Sequence, residues 1–153
     1  MAFLPDRRAV VSVEAALALA LVVLPLLLGL FDLGTALTVR LRVDRALQAG
    51  LFGAWGVAGV SASQIAGAAV AGAGSGSPAV TASASVACYC LPPTGTVQGA
   101  SPTDCDDDTP CPTGQVLGDW ASVTASAAVP LPFPLPGVAS PLVLSASGTA
   151  RIQ

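Results

Sequence analysis

The chain has no histidine, no lysine and no asparagine, and only 10% of its 153 residues are charged. Without His there is no imidazole base and no imidazole metal ligand, and without Lys no amine nucleophile. The lack of Asn removes N-linked glycan acceptors. Serine and threonine are plentiful, yet nothing is present to activate them. No Gly-rich phosphate loop ends in Lys. The one dense group of carboxylates, Asp104 and Asp106 to Asp108, sits on a loop with no evident apolar cleft to tune a pKa. The sequence therefore predicts no catalytic residue, no cofactor site, no metal site and no small-molecule substrate. Basic residues are few as well: Arg7, Arg8, Arg40, Arg42, Arg45 and Arg151 are all of them. No aromatic residues interleave with the 40–45 cluster, so a nucleic-acid partner is excluded.

What is present is apolar and small. Hydrophobic residues make up 53% of the chain, many of them Ala, alongside 16 Gly and 13 Pro. That composition gives a thin core, and the length suits a membrane helix followed by one small domain. Val10 to Phe31 form a run of 22 residues with a single charge, Glu14. As a helix it spans about 33 Å, against a hydrocarbon core of about 30 Å. A signal peptide's apolar core is shorter, about 7–15 residues, and no small-x-small site with a polar start follows this one. The run is read as a retained transmembrane helix, with a cleaved signal as the competitor. Arginines flank both ends, so charge counting barely orients it. The cysteines decide the matter: Cys88, Cys90, Cys105 and Cys111 are an even, local cluster that suits disulfides in an oxidising compartment. The expected topology is single-pass, N-terminus cytoplasmic and C-terminal domain outside.

Glu14 is costly about one turn inside the apolar run. Two readings stand: it snorkels to the cytoplasmic headgroups, or it meets a cationic partner when helices pack side by side. Pro25 removes one helical hydrogen bond, which membrane helices tolerate.

Arg7, Arg8, Val13, Glu14, Ala16 and Leu17, then Leu24-Pro25-Leu26-Leu27-Leu28, then Gly29, Asp32, Leu33 and Gly34 follow a recognisable order. With "VRLRVDRALQAG" at 39–50, this stretch resembles the TadE/TadG-like pilus assembly proteins of bacterial tight-adherence (Flp pilus) secretion systems. The resemblance covers residues 7–50 and, in pattern only, the C-terminal tail. It implies a pseudopilin-like, non-catalytic component of the bacterial inner membrane with a periplasmic domain. Its partners would be the lipid bilayer, other pilus-assembly or pilin-like subunits and a prepilin peptidase. Some members resemble prepilins cut four residues before the glutamate. Carried onto this chain the bond is Ala9–Val10, leaving Glu14 fifth in the mature protein. The chain departs from the family at Ala9, where Gly is usual, and at Ala15, where Phe is common. The resemblance also implies helix packing through Glu14 and Pro25. The competing function is a generic single-pass envelope protein with a disulfide-stapled extracytoplasmic binding domain.

Beyond Phe31 the helical pattern continues: Leu33, Leu37, Leu41, Ala46 and Leu47 recur at three- and four-residue steps among Asp32, Thr35, Arg40, Arg42, Asp44 and Gln48. The stripe must rest on membrane, partner or its own domain, and simple contact with lipid headgroups is one of the readings open for Arg40 and Arg42. Ser61 or Ser63 is expected to cap a short helix over 64–72, ended by the Gly72–Gly76 cluster. Trp55 is either an interfacial anchor or the main plug of the core. Segments 79–90, 119–129 and 142–152 alternate apolar and hydroxyl residues, which predicts three antiparallel strands with one dry face. "PLPFPLPG" at 130–137 is too proline-rich for a central strand and is expected as an extended loop, with a peptide-like docking role open. Cys88 and Cys90 on the first strand are expected to bridge Cys105 and Cys111 in either pairing. Zinc held by four thiolates is the alternative, though the spacing fits structural zinc poorly. Weak calcium binding by the aspartates lacks the Gly and distal Glu of a calcium loop.

The predicted fold is α+β, a long N-terminal transmembrane helix followed by a small antiparallel-sheet domain. Its expected parts are a cytoplasmic leader at 1–9, the transmembrane helix at 10–31 and an amphipathic extension at 32–50. A Gly/Ala-rich connector with a short helix follows at 51–78, and a disulfide-stapled β domain at 79–153.

Overall fold

The computed structural model describes residues 7–55, 59–95, 97, 101–103, 105, 110–133 and 137–152, with side chains from Ser12 onward. The first helix, α1, spans Arg7–Ala54 without interruption, 48 residues that include Pro25, which corresponds to about 72 Å. Every described side chain from Ser12 to Leu27 is exposed. Among the described residues this is the one helix long and apolar enough to cross a membrane.

The far half of α1 is different. Val39, Val43, Ala46, Gly50 and Ala54 are buried, at steps of four, three, four and four, and so form one helical stripe. The expected stripe divides between the domain and the surface. Ala46 and Leu47 do face the domain, but Leu33, Leu37 and Leu41 are more than half exposed. The helix also continues four residues past the predicted boundary at 50, through Gly53. An added Cβ at Gly53 would lie 3.0 Å from Ala68 Cβ, so a small residue there lets the next helix approach.

That second helix, α2, spans Ala62–Ala73 and begins two residues earlier than expected. Ser61 caps it: its Oγ accepts from Gln64 N–H at 3.3 Å, and Gln64 Oε1 accepts from Ser61 N–H at 2.9 Å. Gly74, at φ 72°, ends it. A Cβ at Gly72 would overlap Ala49 Cβ, and one at Gly50 would come within 3.0 Å of both Ala69 Cβ and Val123 Cγ1. Glycine and alanine thus set the spacing between α1, α2 and the sheet.

Three strands form one antiparallel sheet in the order β1-β2-β3: β1 at Thr81–Leu91, β2 at Val116–Val129 and β3 at Leu142–Arg151. Strand β2 starts three residues before its predicted position, pairing Val116 with Leu91. The inner face follows the predicted alternation most fully in β2, where Ala121, Val123, Ala125, Ala127 and Val129 are all buried. Both helices pack on this face, which makes a two-layer α+β domain. Ile65, Val43, Val123 and Val129 are the largest fully buried aliphatic side chains, and no buried aromatic joins them among the described residues. Trp55 is 65% exposed, so it is not the plug of the core. Val86, on the inner face of β1, is also exposed, at the margin of the helical cover.

The outer face carries hydroxyls in register. Ser85, Ser122 and Thr149 form one cross-strand row, Ser83, Thr124 and Ser147 the next, and Thr81, Ser126 and Ser145 the third. This solvated face explains why the strands alternate so strictly: a one-residue slip would bury the hydroxyls and expose the core.

Candidate interaction surface

The chain presents chemistry along α1 and at its junction with the domain. The Glu14 side chain is exposed and forms no ion pair among the described residues. Pro25 lies eleven residues on, close to three helical turns, so both occupy one face of α1. Ala9 and Val10 belong to the first turns of α1, but their side chains lie outside the described residues, as do those of Arg7 and Arg8. Asp104 and Asp106 to Asp108 also lie outside them.

Leu30, Leu33, Leu37 and Leu41 are 55–63% exposed along α1. Leu37 and Leu41 stand about 9 and 15 Å beyond Phe31 along the helix axis, past the end of the apolar run.

Arg42 is not free for headgroups. Its guanidinium donates to four backbone carbonyls at the end of α2 and just beyond it: Ala73 at 3.4 Å, Pro78 at 3.0 Å, Gly74 at 3.5 Å and Gly76 at 3.1 Å. A cation at a helix C-terminus also favours the helix dipole. An added Cβ at Gly76 would lie 2.9 Å from Arg42 Cζ, so glycine is what lets the backbone approach. Arg40 is engaged too, donating to Ser145 O at 2.8 Å and pairing with Asp44 at 3.2 Å on the surface. Replacing Arg42 with Ala is expected to lower stability by about 2–3 kcal/mol. Lys is expected to recover little of this, because it lacks the planar fork. Urea unfolding of the full chain in detergent measures both variants.

Asp32 is 7% exposed where the β2–β3 connection docks on α1. Its Oδ2 accepts from Phe133 N–H at 3.1 Å, while its Oδ1 is buried and meets no donor among the described residues. The same connection is closed by Ser140, whose Oγ lies 3.3 Å from Leu131 N and 3.4 Å from Leu131 O. Sequence reasoning placed Asp32 among the polar positions of an amphipathic helix and missed both its burial and its partner. The proline-rich 130–137 link is non-strand where it is described, with residues 134–136 outside the described set.

The cysteines pair as Cys88–Cys105 and Cys90–Cys111, with Cα–Cα distances of 5.3 and 5.5 Å. Thr103 N–H donates to Cys88 O at 2.9 Å, which delivers Cys105 beside Cys88. Asp119 Oδ1 lies 3.0 Å from Cys88 Sγ. The cluster of Cys88, Cys105 and Asp119 resembles a ligand set, but its two sulfurs are bonded to each other and offer no thiolates. The zinc alternative is therefore corrected: all four cysteines are consumed in bridges.

A long apolar helix carrying a small two-layer domain at its far end defines a class, consistent with a single-pass membrane protein. Within that class, residues 9–51 match the family model described as TadE-like protein. The matched stretch holds Val10, Glu14, Pro25, Asp32 and Arg42, nearly the whole of α1. No curated protein and no solved structure matches the chain.

Proposed function

We propose that the protein is a non-catalytic, pseudopilin-like component of tight-adherence pilus assembly, anchored by α1 in the bacterial inner membrane with its domain in the periplasm. It acts through lateral helix packing and through presentation of that domain to other assembly subunits. The observation that carries this reading is the apolar face of α1 that continues past the end of the apolar run at Phe31. Leu37 and Leu41 are exposed beyond Phe31, and lipid tails do not reach them there. A neighbouring helix would bury them, at roughly 1.5–3 kcal/mol for each leucine fully covered. The family match over residues 9–51 supports the same reading. Glu14 fits it as the group that neutralises a cation on the adjoining helix, and Ala9–Val10 as the bond a prepilin peptidase would cut.

Two measurements test this. A reporter fused after Arg151 is expected to be active only outside the cytoplasm, with the protein resisting alkaline carbonate extraction. Intact protein drawn from membranes is expected to bring pilus-assembly subunits with it, and Leu37→Ser with Leu41→Ser to lose them. A cytoplasmic reporter signal would overturn the orientation. Recovery of unrelated envelope components alone would favour the generic envelope-protein reading instead.

A further inference from the structure

Among the described residues, the cavity beside Asp32 is the one place where a buried, unpaired polar atom meets open space. It measures about 180 Å³ and is lined by Gly29, Asp32, Leu33, Ala36, Leu131, Val138 and Leu142. Asp32 is the single polar side chain among the described residues of that wall. Its residue exposure is 7%, and its Oδ1 has no donor among the described residues. A carboxylate this buried, with one hydrogen bond from Phe133 N–H, is costly unless a cation or a further donor completes it. The two described arginines nearest to it in sequence are engaged elsewhere: Arg40 is held by Ser145 O and Asp44, and Arg42 by the carbonyls at the end of α2 and just beyond.

Position narrows the ligand. Asp32 directly follows Phe31, the last residue of the apolar run, so on the membrane reading above, on which this inference rests, it stands at the depth of the outer headgroups. What lies there in contact with apolar side chains is a lipid head on its acyl chains. An anionic head would be repelled by the carboxylate, and a quaternary ammonium has no N–H to give to Oδ1. We infer that this cavity binds the primary ammonium of an aminoethyl phospholipid headgroup, with Asp32 as its acceptor and the Gly29, Leu33 and Ala36 face beside its chain. Such a contact would join the lipid surface to the β2–β3 connection through one carboxylate, since Oδ2 holds Phe133.

The test is lipid retention by the full chain. The protein is reconstituted in nanodiscs of equal phosphatidylethanolamine, phosphatidylcholine and phosphatidylglycerol with identical acyl chains, then released for native mass spectrometry. Ethanolamine lipid is expected to be retained about tenfold over either competitor, as suits a charge-assisted hydrogen bond. Asp32→Asn keeps an acceptor for Phe133 N–H but replaces the charge, and is expected to abolish the preference without unfolding the domain. Equal retention of the three lipids, or an undiminished preference in the Asn variant, would overturn the site. A carbodiimide cross-link from Asp32 to a lysine of a partner protein in cells would also overturn it, assigning the carboxylate to a protein cation. Failure of the chain to insert at all would remove the membrane reading, an outcome distinct from insertion without preference.

Discussion

Replacing Cys88 and Cys105 together with Ala is expected to cost about 3 kcal/mol, and replacing Cys90 and Cys111 a similar amount. The bridges close segments separated by 17 and 21 residues, and opening each one returns that loop's entropy to the unfolded chain. Ala is the right replacement at 88, because Cys88 is 1% exposed and Ser there would introduce a new hydrogen bond to Asp119 Oδ1, 3.0 Å from the present sulfur, which would mask the loss of the bridge. Little else holds the 92–115 segment: Thr103 N–H on Cys88 O is its one described backbone bond to a strand. Losing both bridges therefore removes about 6 kcal/mol, comparable to the whole stability of a small domain. Urea unfolding in detergent, with and without reductant, gives the number. Mass spectrometry without reductant is expected to show a mass lower by four hydrogens than the reduced protein, and four alkylatable thiols in the untreated protein would contradict the pairing.

The strands were legible in the sequence because a sheet with one dry face must alternate, and Ala121, Val123, Ala125, Ala127 and Val129 do so against Ser122, Thr124 and Ser126. The α2 cap was legible to within two serines, Ser61 or Ser63, and Ser61 takes it because it stands three residues before Gln64. The buried face of α1 was not. Leu33, Leu37 and Leu41 share the three-and-four spacing of Val39, Val43 and Ala46, and hydrophobicity favours the leucines. The core instead takes the smaller residues, because α2 and β2 approach within a Cβ's width of Gly50. Burial is set by fit, and the leucines are left for something else. Arg42 and Asp32 were obscured by distance in the chain. Arg42 meets carbonyls 31 to 36 residues on, and Asp32 meets Phe133 across 101. One signal for Arg42 was present: the "GAGSGSP" stretch after α2 leaves helix-end carbonyls in need of a cation. For Asp32 the only signal was a lone carboxylate at the end of an apolar run.

Glu14→Leu is expected to insert in the membrane as well as the original or better, and to lose its assembly partners. Insertion improves because a carboxylate inside an apolar run carries a desolvation cost, up to about 2.5–3.5 kcal/mol at the bilayer centre for charged residues and less near the interface. Assembly fails, on the proposal that Glu14 neutralises a cation of an adjoining helix, because that cation is left unpaired at low dielectric. Breaking such a pair costs about 3–5 kcal/mol, or at least about a hundredfold in affinity. Among the described residues Glu14 forms no ion pair whose loss would confuse the result. Its face of α1 also carries Pro25, so one lateral contact would engage both. Glu14→Gln is the stricter variant, since it keeps the shape and the hydrogen-bonding oxygen and deletes the charge. If charge is what the partner reads, Gln behaves as Leu in co-purification at equal membrane abundance. If both variants recover partners like the original, Glu14 only reaches for the cytoplasmic headgroups, and lateral packing must rest on the leucines of α1 alone. A Gln variant that assembles while Leu does not would assign the contact to a hydrogen bond, and the freed amine of a neighbouring subunit would no longer be needed as its partner.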